Sequence, residues 1–136
     1  MRTAIDSNIL SAIWRLESTA AELSQTLAQA HSEGSLVICG VVFAEVMANP
    51  SVDEKFVANF LDDTAIGVDY ALGEEVWRLA AARYRNYVER RRRHQKEFER
   101  RLIADFIIGA HALVEADQLV TLDRRYERDF PELKLI

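Results

Sequence analysis

Short, mainly apolar segments alternate along the chain with longer segments in which apolar residues recur at helical spacing. A short continuous apolar run is typical of a strand that is buried on both faces of a sheet. These runs are TAI at 3–5, LVIC at 36–39, AIGV at 65–68, LVTL at 119–122 and LKLI at 133–136. Strands that alternate with helices predict an α/β fold with a central, mainly parallel sheet flanked by helices.

Helices are predicted between these strands from the spacing of apolar residues. Apolar positions repeat at steps of three and four from Leu16 to Ala30, and Gly34 follows as a helix end. Ser51 and Glu54 have the spacing of a capping box. The next helix is long, and its apolar positions are Val76, Leu79, Ala80, Tyr84, Tyr87 and Val88.

A strongly basic segment separates this long helix from an almost wholly apolar helix that begins near Leu102. Residues 89–97, ERRRRHQKE, contain no apolar side chain, so we expect a solvated helix end or a loop there. Residues 83–101 carry a net charge of +6 in a chain of net charge −5, which leaves −11 on the remainder. This asymmetry favours a nucleic acid or an acidic partner, although a solvated helix face is the alternative. The candidate phosphate contacts are Arg90, Arg91, Arg92, Arg93, Lys96, Arg100 and Arg101.

Composition restricts the class of protein further. A chain of 136 residues, 49% of them apolar, is sufficient for one globular domain, which we expect to span 1–136. Cys39 is the one cysteine, which excludes a disulfide framework, and its apolar surroundings predict a core position. No apolar stretch of signal-peptide length precedes Asp6, and no run approaches a membrane span. We therefore expect a soluble cytoplasmic protein without membrane contact.

Four carboxylates lie where the fold places functional residues or where their surroundings are apolar. Asp6 and Asp123 end predicted strands, and the carboxyl ends of parallel strands form the ligand-binding edge of an open sheet. Glu45 is the one polar residue in VVFAEVMA, and Asp105 is the one charged residue in LIADFIIGAHALV. The helices that carry Glu45 and Asp105 should both begin at the same edge.

Each acid also has a structural explanation when it is considered alone. Asp6 can cap the first helix, Asp123 can begin a turn, Asp105 can favour a helix N-terminus, and Glu45 can pair with a buried arginine. The four together favour a hard divalent cation, Mg²⁺ or Mn²⁺, because clustered carboxylates repel one another unless a cation lies among them. His111 is roughly 120° from the helical face of Asp105, so we expect it to serve helix packing.

The segments AIDSNIL, ADFIIGAHAL and TLDRRYERDFPELKLI, with the lone Glu45 between them, resemble the PIN-domain nucleases. Within these, the resemblance is nearest to the VapC-type toxins of toxin–antitoxin pairs, and it covers nearly the whole chain. It implies a PIN-like three-layer sandwich and a metal-dependent ribonuclease acting on RNA, with Asp6, Glu45, Asp105 and Asp123 as the catalytic, metal-binding acids. It also implies Asn8 and Thr121 as supporting polar residues, a homodimer, and a small cognate antitoxin that blocks the site.

Two other functions are compatible with an α/β domain that has acids at strand ends. A phosphoacceptor signalling domain needs a lysine after the last strand, and the positions of Lys55, Lys96 and Lys134 do not meet that need. A non-catalytic module that binds RNA or a protein partner would have no reason to keep all four acids. Metal-dependent cleavage separates the nuclease from both alternatives.

Overall fold

The computed structural model of the chain describes residues 1–94 and 101–136. Helices and strands alternate through the described residues, as the apolar pattern predicts. In chain order they are β1 (Arg2–Ile5), α1 (Ser7–Trp14), α2 (Ala20–Glu33), β2 (Ser35–Cys39), α3 (Gly40–Met47), α4 (Glu54–Asp63), β3 (Ile66–Asp69), α5 (Glu74–His94), α6 (Ile103–Glu115), β4 (Gln118–Val120) and α7 (Tyr126–Asp129).

In the described part of the chain, four strands form one parallel sheet in the order β3-β2-β1-β4. Ala4 of β1 lies in register with Val37 of β2 and Leu119 of β4, and all three side chains are buried. From β1 the chain adds β2 and then β3 on one side of β1. It then crosses back to add β4 on the other side of β1. Right-handed crossovers therefore place helices on both faces, so the predicted α/β class is confirmed.

The reversal of direction creates a topological switch point between β1 and β4. The backbone N–H of Asp6 donates to the carbonyl of Val120 at 3.0 Å, so the ends of these two strands stay joined. In open α/β sheets, ligands bind in the crevice outside such a point. The residues that follow β1 and β4, from Asp6 and from Thr121 onward, therefore meet at the functional edge.

The last two predicted strands differ from the structure. β4 ends at Val120, and the predicted strand at 133–136 is reduced to an isolated bridge between Leu119 and Leu135. The chain between them forms turns and the short helix α7, and Phe130 and Leu133 fill the core from there. Packing of this C-terminal segment against the sheet takes the place of a full fifth strand.

Two helix beginnings also differ from the prediction. Leu16 has a φ of 53° and an 84% exposed side chain, so it lies in the connection between α1 and α2 and outside the helical face. The cap of α4 is Asp53, whose Oδ1 accepts from the N–H of Phe56 at 2.7 Å. Ser51 instead donates its hydroxyl hydrogen to Asn49 at 2.7 Å. The capping-box prediction at Ser51 was wrong because the helix begins at Glu54, and Asp53 directly before it supplies the cap.

The buried helix α6 carries the third acid and packs against the long helix α5. Residues 106–112 of α6 are buried on every side, as its nearly continuous apolar sequence predicts. Helix α5 continues through Arg91, Arg92 and Arg93 to His94, so this part of the basic segment is helical. Among the described residues, no helix is long and apolar enough to cross a membrane.

Candidate active site

Asp6 lies at the centre of the functional edge and makes structural contacts of its own. It caps α1, and its Oδ1 accepts from the N–H of Ser7 at 2.8 Å. Its Oδ2 accepts from the hydroxyl of Thr121 at 2.7 Å. Burial raises the pKa of Asp6 above its usual range, and the nearby charge of Asp105 raises it further despite these hydrogen bonds.

Asn8 and Thr121, the two predicted supporting residues, connect β1, α1 and β4 through hydrogen bonds. The amide nitrogen of Asn8 lies 3.3 Å from Asp6 Oδ2, and its oxygen accepts from the N–H of Leu122 at 3.2 Å. The Thr121 oxygen accepts from the backbone N–H of Asp123 at 3.0 Å. Both side chains therefore fix the orientation of Asp6 relative to the turn after β4.

Glu45 reaches the same edge from α3, in the position that the sequence predicts. Its Oε1 accepts from the hydroxyl of Ser7 at 3.1 Å, and its side chain also reaches solvent. Surrounding protein atoms remove part of its hydration, which raises the pKa of Glu45, and the charges of Asp6 and Asp105 act in the same direction. The structure thus brings Asp6, Glu45 and Asp105 within electrostatic range of one another.

Asp105 lies in the first turn of α6, and its charge has a partner that sequence reasoning missed. The Nε of Arg101 lies 3.6 Å from Asp105 Oδ2, and the backbone N–H of Leu102 lies 3.4 Å from the same oxygen. The sequence suggested a metal or the positive end of the helix as compensation for Asp105, and not this arginine. The four-residue spacing of Arg101 and Asp105 was the signal that could have revealed this pair.

Asp123, the fourth acid, is held by arginines. Its Oδ1 accepts from the backbone N–H of Arg125 at 2.9 Å, which makes a turn, and Arg125 Nη2 lies 2.8 Å from its Oδ2. Burial acts to raise the pKa of Asp123, but the hydrogen bonds and charge of Arg125, together with the charge of Arg101, lower it. Asp123 is therefore the acid of the four that the protein itself compensates most completely.

Arg101 is a buried connection between the acids, not a surface contact. Its guanidinium forms an ion pair with Asp129, which is also buried, and lies 5.1 Å and 5.2 Å from the ring centres of Phe106 and Tyr126. Its backbone N–H donates to the hydroxyl of Tyr87 at 2.7 Å. Asp129 and Tyr126 were both missed by the sequence analysis, because α7 has no strong pattern of its own.

The other predicted phosphate contacts fall into three groups. Arg90 pairs with Asp129 and is half-buried. Arg91, Arg92 and Arg93 are exposed on the last turn of α5. Lys96 and Arg100 lie outside the described residues. The exposed arginines directly follow Arg90 in the last turn of α5.

The remaining titratable core residues serve packing, as expected from the sequence. His111 is buried in α6, and its Nε2 lies 2.8 Å from Asp69 Oδ2 at the end of β3. Asp69 also pairs with Arg2 at 3.1 Å. Cys39 is buried in the core, where burial raises the pKa of its thiol.

The chemistry of the acids fits a hard divalent cation. All four offer carboxylate oxygens, the ligands that Mg²⁺ and Mn²⁺ prefer. Burial, and after it the charges of neighbouring acids, raise the pKa values of Asp6 and Glu45, and a bound cation would offset both effects. Across residues 1–94 and 101–136, no three His, Cys, Asp or Glu side chains are arranged to hold a metal ion. Carboxylates that repel one another are expected to separate, so assembly of a full ligand set requires small side-chain rotations.

A comparison with family models decides the classification. The model described as "PIN domain" matches residues 3–130. The chain belongs to the PIN domain family. A comparison with curated proteins gave no match.

Two solved structures illustrate the shared fold. The chain is similar to VapBC2 from Rickettsia felis bound to a DNA fragment from its promoter, with a TM-score of 0.67 and 21% identity over 100% of this chain and 98% of that chain. It is also similar to VapBC-1 from nontypeable Haemophilus influenzae, with a TM-score of 0.62 and 16% identity over 100% of this chain and 97% of that chain. These matches show that this PIN domain shares its fold with both compared chains over nearly their whole length.

Proposed function

We propose that this PIN domain is a Mg²⁺- or Mn²⁺-dependent endoribonuclease that acts as the toxin of a type II toxin–antitoxin pair. The observation that carries the proposal is the convergence of Asp6, Glu45 and Asp105, contributed by three different elements, within range of mutual repulsion. A protein tolerates such a cluster where function requires it. Membership of a family whose members are in general nucleases supports the same conclusion.

The residues of the site have distinct roles in this proposal. Asp6, Glu45 and Asp105 would hold the cation, with Asp123 as a fourth carboxylate once its contact with Arg125 opens. The bound cation supplies Lewis-acid polarisation of the phosphate and lowers the pKa of a coordinated water. Thr121 and Asn8 keep Asp6 in a fixed orientation. Glu45, which reaches solvent, would accept a proton from the attacking water while the water oxygen bonds to phosphorus and the P–O ester bond breaks. The leaving oxygen would take its proton from solvent water, and Glu45 would return its own proton to solvent.

The end of α5 is the proposed contact for RNA. Arg91, Arg92 and Arg93 are exposed, and Arg90 beside them pairs with Asp129, which in turn pairs with Arg101 next to Asp105. A substrate phosphate chain lying along this basic turn would therefore pass close to the acids. Exposed guanidinium groups are suited to backbone phosphates because they bind them in a bidentate manner.

The proposed partners are a small cognate antitoxin and a second copy of the chain. Both compared structures are described as VapBC, and one of them is bound to promoter DNA. An acidic site that lacks its cation attracts a basic side chain, and an inhibitor that supplies one would neutralise it. The homodimer is proposed on the resemblance to the VapC-type toxins.

The decisive experiment is cleavage of a labelled RNA by the purified protein, with EDTA and with added Mg²⁺ or Mn²⁺. We expect cleavage that requires metal and is lost in Asp6→Asn and Asp105→Asn, because each removes one ligand charge. Glu75→Gln is the matched control, because Glu75 is an exposed acid in the first turn of α5. RNA binding without cleavage by a folded protein would contradict the proposal and favour a non-catalytic binding module.

A further inference from the structure

Arg101 presents two nitrogen atoms to two of the four acids without hydrogen bonding to either. Its Nε lies 3.6 Å from Asp105 Oδ2, and its Nη2 lies 3.8 Å from Asp123 Oδ2. Both nitrogens are buried, and neither has a hydrogen-bond partner among the described residues. Buried donors of this kind are uncommon in proteins and call for an explanation.

The surroundings of Arg101 prevent it from relaxing towards either acid. Its third nitrogen, Nη1, is paired with the buried Asp129, and the guanidinium lies between the rings of Phe106 and Tyr126. The whole side chain is only 4% exposed. The guanidinium is thus fixed at a distance at which its charge acts on Asp105 and Asp123 while their oxygens remain open to another ligand.

We propose that Arg101 and a divalent cation are alternative counter-charges for Asp105 and Asp123, so that Arg101 sets the metal affinity of the site. This inference rests on the proposed function. A fixed guanidinium beside two ligand carboxylates repels an incoming cation, and burial of the guanidinium strengthens that repulsion because water screens it less. Arg101 therefore keeps the site folded without metal and raises the metal concentration needed to load it. It is a positioning residue and touches neither substrate nor water in this role.

The test is Mn²⁺ binding by isothermal titration calorimetry to the purified full chain and its variants. Arg101→Met keeps the length and apolar stem of the side chain and removes its charge, and we expect Kd to fall about tenfold. Arg78→Met is the matched control, because it makes the same change in net charge at an exposed arginine of α5 that pairs with Glu74. We expect the Kd of the control to stay within about twofold of the wild-type value, clearly less than the tenfold change expected for Arg101→Met.

A second variant covers the case in which Arg101→Met does not fold. Arg101→Lys keeps the pair with Asp129 but has one nitrogen in place of three, so it cannot face Asp105 and Asp123 as well. We expect tighter Mn²⁺ binding than wild type, by a smaller factor than for Arg101→Met. Thermal unfolding in EDTA provides the second measurement, and both variants should melt below wild type because Asp105 and Asp123 lose compensation.

The outcomes separate this inference from the proposed function. Tighter Mn²⁺ binding by a folded Arg101 variant, with an unchanged control, supports it. Equal or weaker binding by Arg101→Met, or by Arg101→Lys where the methionine variant is unfolded, overturns it while the nuclease proposal stands. Absence of Mn²⁺ binding in every protein, wild type included, overturns both.

Discussion

Glu45 is the acid of the site that the protein compensates least. Its contact in the structure is the Ser7 hydroxyl, whereas Asp105 has Arg101 nearby and Asp123 has Arg125 as well. Partial desolvation and the charges of Asp6 and Asp105 raise its pKa. A carboxyl with a raised pKa in the folded state binds more protons than it does in the unfolded chain. Its contribution to stability is therefore present at low pH and lost as the pH rises through the folded value.

We expect Glu45→Gln to melt above wild type at pH 7 in EDTA. The amide oxygen can accept the same hydrogen bond from Ser7, and the repulsion by Asp6 and Asp105 disappears. Below about pH 4, where a glutamate is largely protonated in both states, the difference should vanish. Saturating Mn²⁺ should reverse the order, because metal binds the folded wild type more tightly. The measurement is thermal unfolding from about pH 3 to about pH 8, with and without metal.

Glu54→Gln is a suitable control for this comparison. Glu54 is an exposed acid in the first turn of α4, where its charge favours the helix N-terminus. The control should melt at or slightly below wild type at pH 7 and gain the same stabilisation from Mn²⁺ as wild type does. If Glu45→Gln melts well below wild type in EDTA, Glu45 has a structural role that its contact with Ser7 does not reveal.

At the scale of elements, the contact between α6 and the C-terminal segment determines where Arg101 and Asp105 lie. Gly109 in the middle of α6 allows Phe130 to approach closely, and a Cβ there would lie 2.7 Å from the ring carbon Cδ2. Phe130 is fully buried and packs against Phe106 and Tyr126, the two rings that enclose Arg101. The ring therefore has no free direction in which to move.

We expect Gly109→Ala to destabilise the protein by about 1–2 kcal/mol. Overpacking a core typically costs about 1–3 kcal/mol, and contacts this short with a buried ring belong to the upper part of that range, about 2–3 kcal/mol. The better helix propensity of alanine offsets roughly 1 kcal/mol of this cost. Gly67→Ala is the control, because its Cβ would meet Leu36 only at an ordinary 3.8 Å on an exposed strand position. Urea unfolding measures both free energies, and a neutral or stabilising Gly109→Ala would show that Phe130 can shift after all.

The basic end of α5 leads to a prediction about salt dependence. Replacing Arg91, Arg92 and Arg93 by Gln should weaken RNA binding and reduce its log–log salt slope by about 0.7 for each lost contact to a single strand. Helix α5 should persist, because these side chains are exposed. A double change of Arg78 and Arg85 to Gln, also exposed on α5, should leave the slope unchanged. An unchanged slope in the triple variant would assign Arg91–Arg93 to a solvated helix face.

The sequence predicted elements better than it predicted contacts between them. Apolar runs located β1, β2 and β3 to within a residue, because burial on both faces requires continuous apolar side chains. The sequence-based prediction failed at 133–136, where α7 and Phe130 occupy the space of a further strand. It also failed at Arg101, which it assigned to solvent. Charge alone does not reveal that Asp129, twenty-eight residues away, makes Arg101 a core residue.

At the scale of the whole molecule, negative charge dominates outside the basic segment. Residues 83–101 carry a charge of +6 in a chain of net charge −5, so the rest of the chain, which includes all four acids, carries −11. A basic partner is attracted to such a surface, and association of this kind is fast at low salt. For the proposed ribonuclease, this negative charge would oppose RNA away from the basic segment, so we expect substrate to approach along the basic end of α5.

We expect expression of this chain without a partner to arrest bacterial growth, because an uninhibited ribonuclease degrades cellular RNA. Asp6→Ala should relieve the arrest, since Asp6 is the acid to which Thr121, Asn8 and Ser7 all bind. The readout is growth after induction, with protein levels compared by immunoblot so that loss of folding is not mistaken for loss of activity.

Glu75→Gln is the control for this experiment. Glu75 is exposed and distant in sequence from all four acids, so this variant should remain as toxic as wild type. Equal growth arrest by wild type and Asp6→Ala at equal protein levels would trace the toxicity to something other than this site. Relief of growth arrest by a co-expressed basic inhibitor would support the view that the net negative charge outside residues 83–101 attracts the partner that controls the protein.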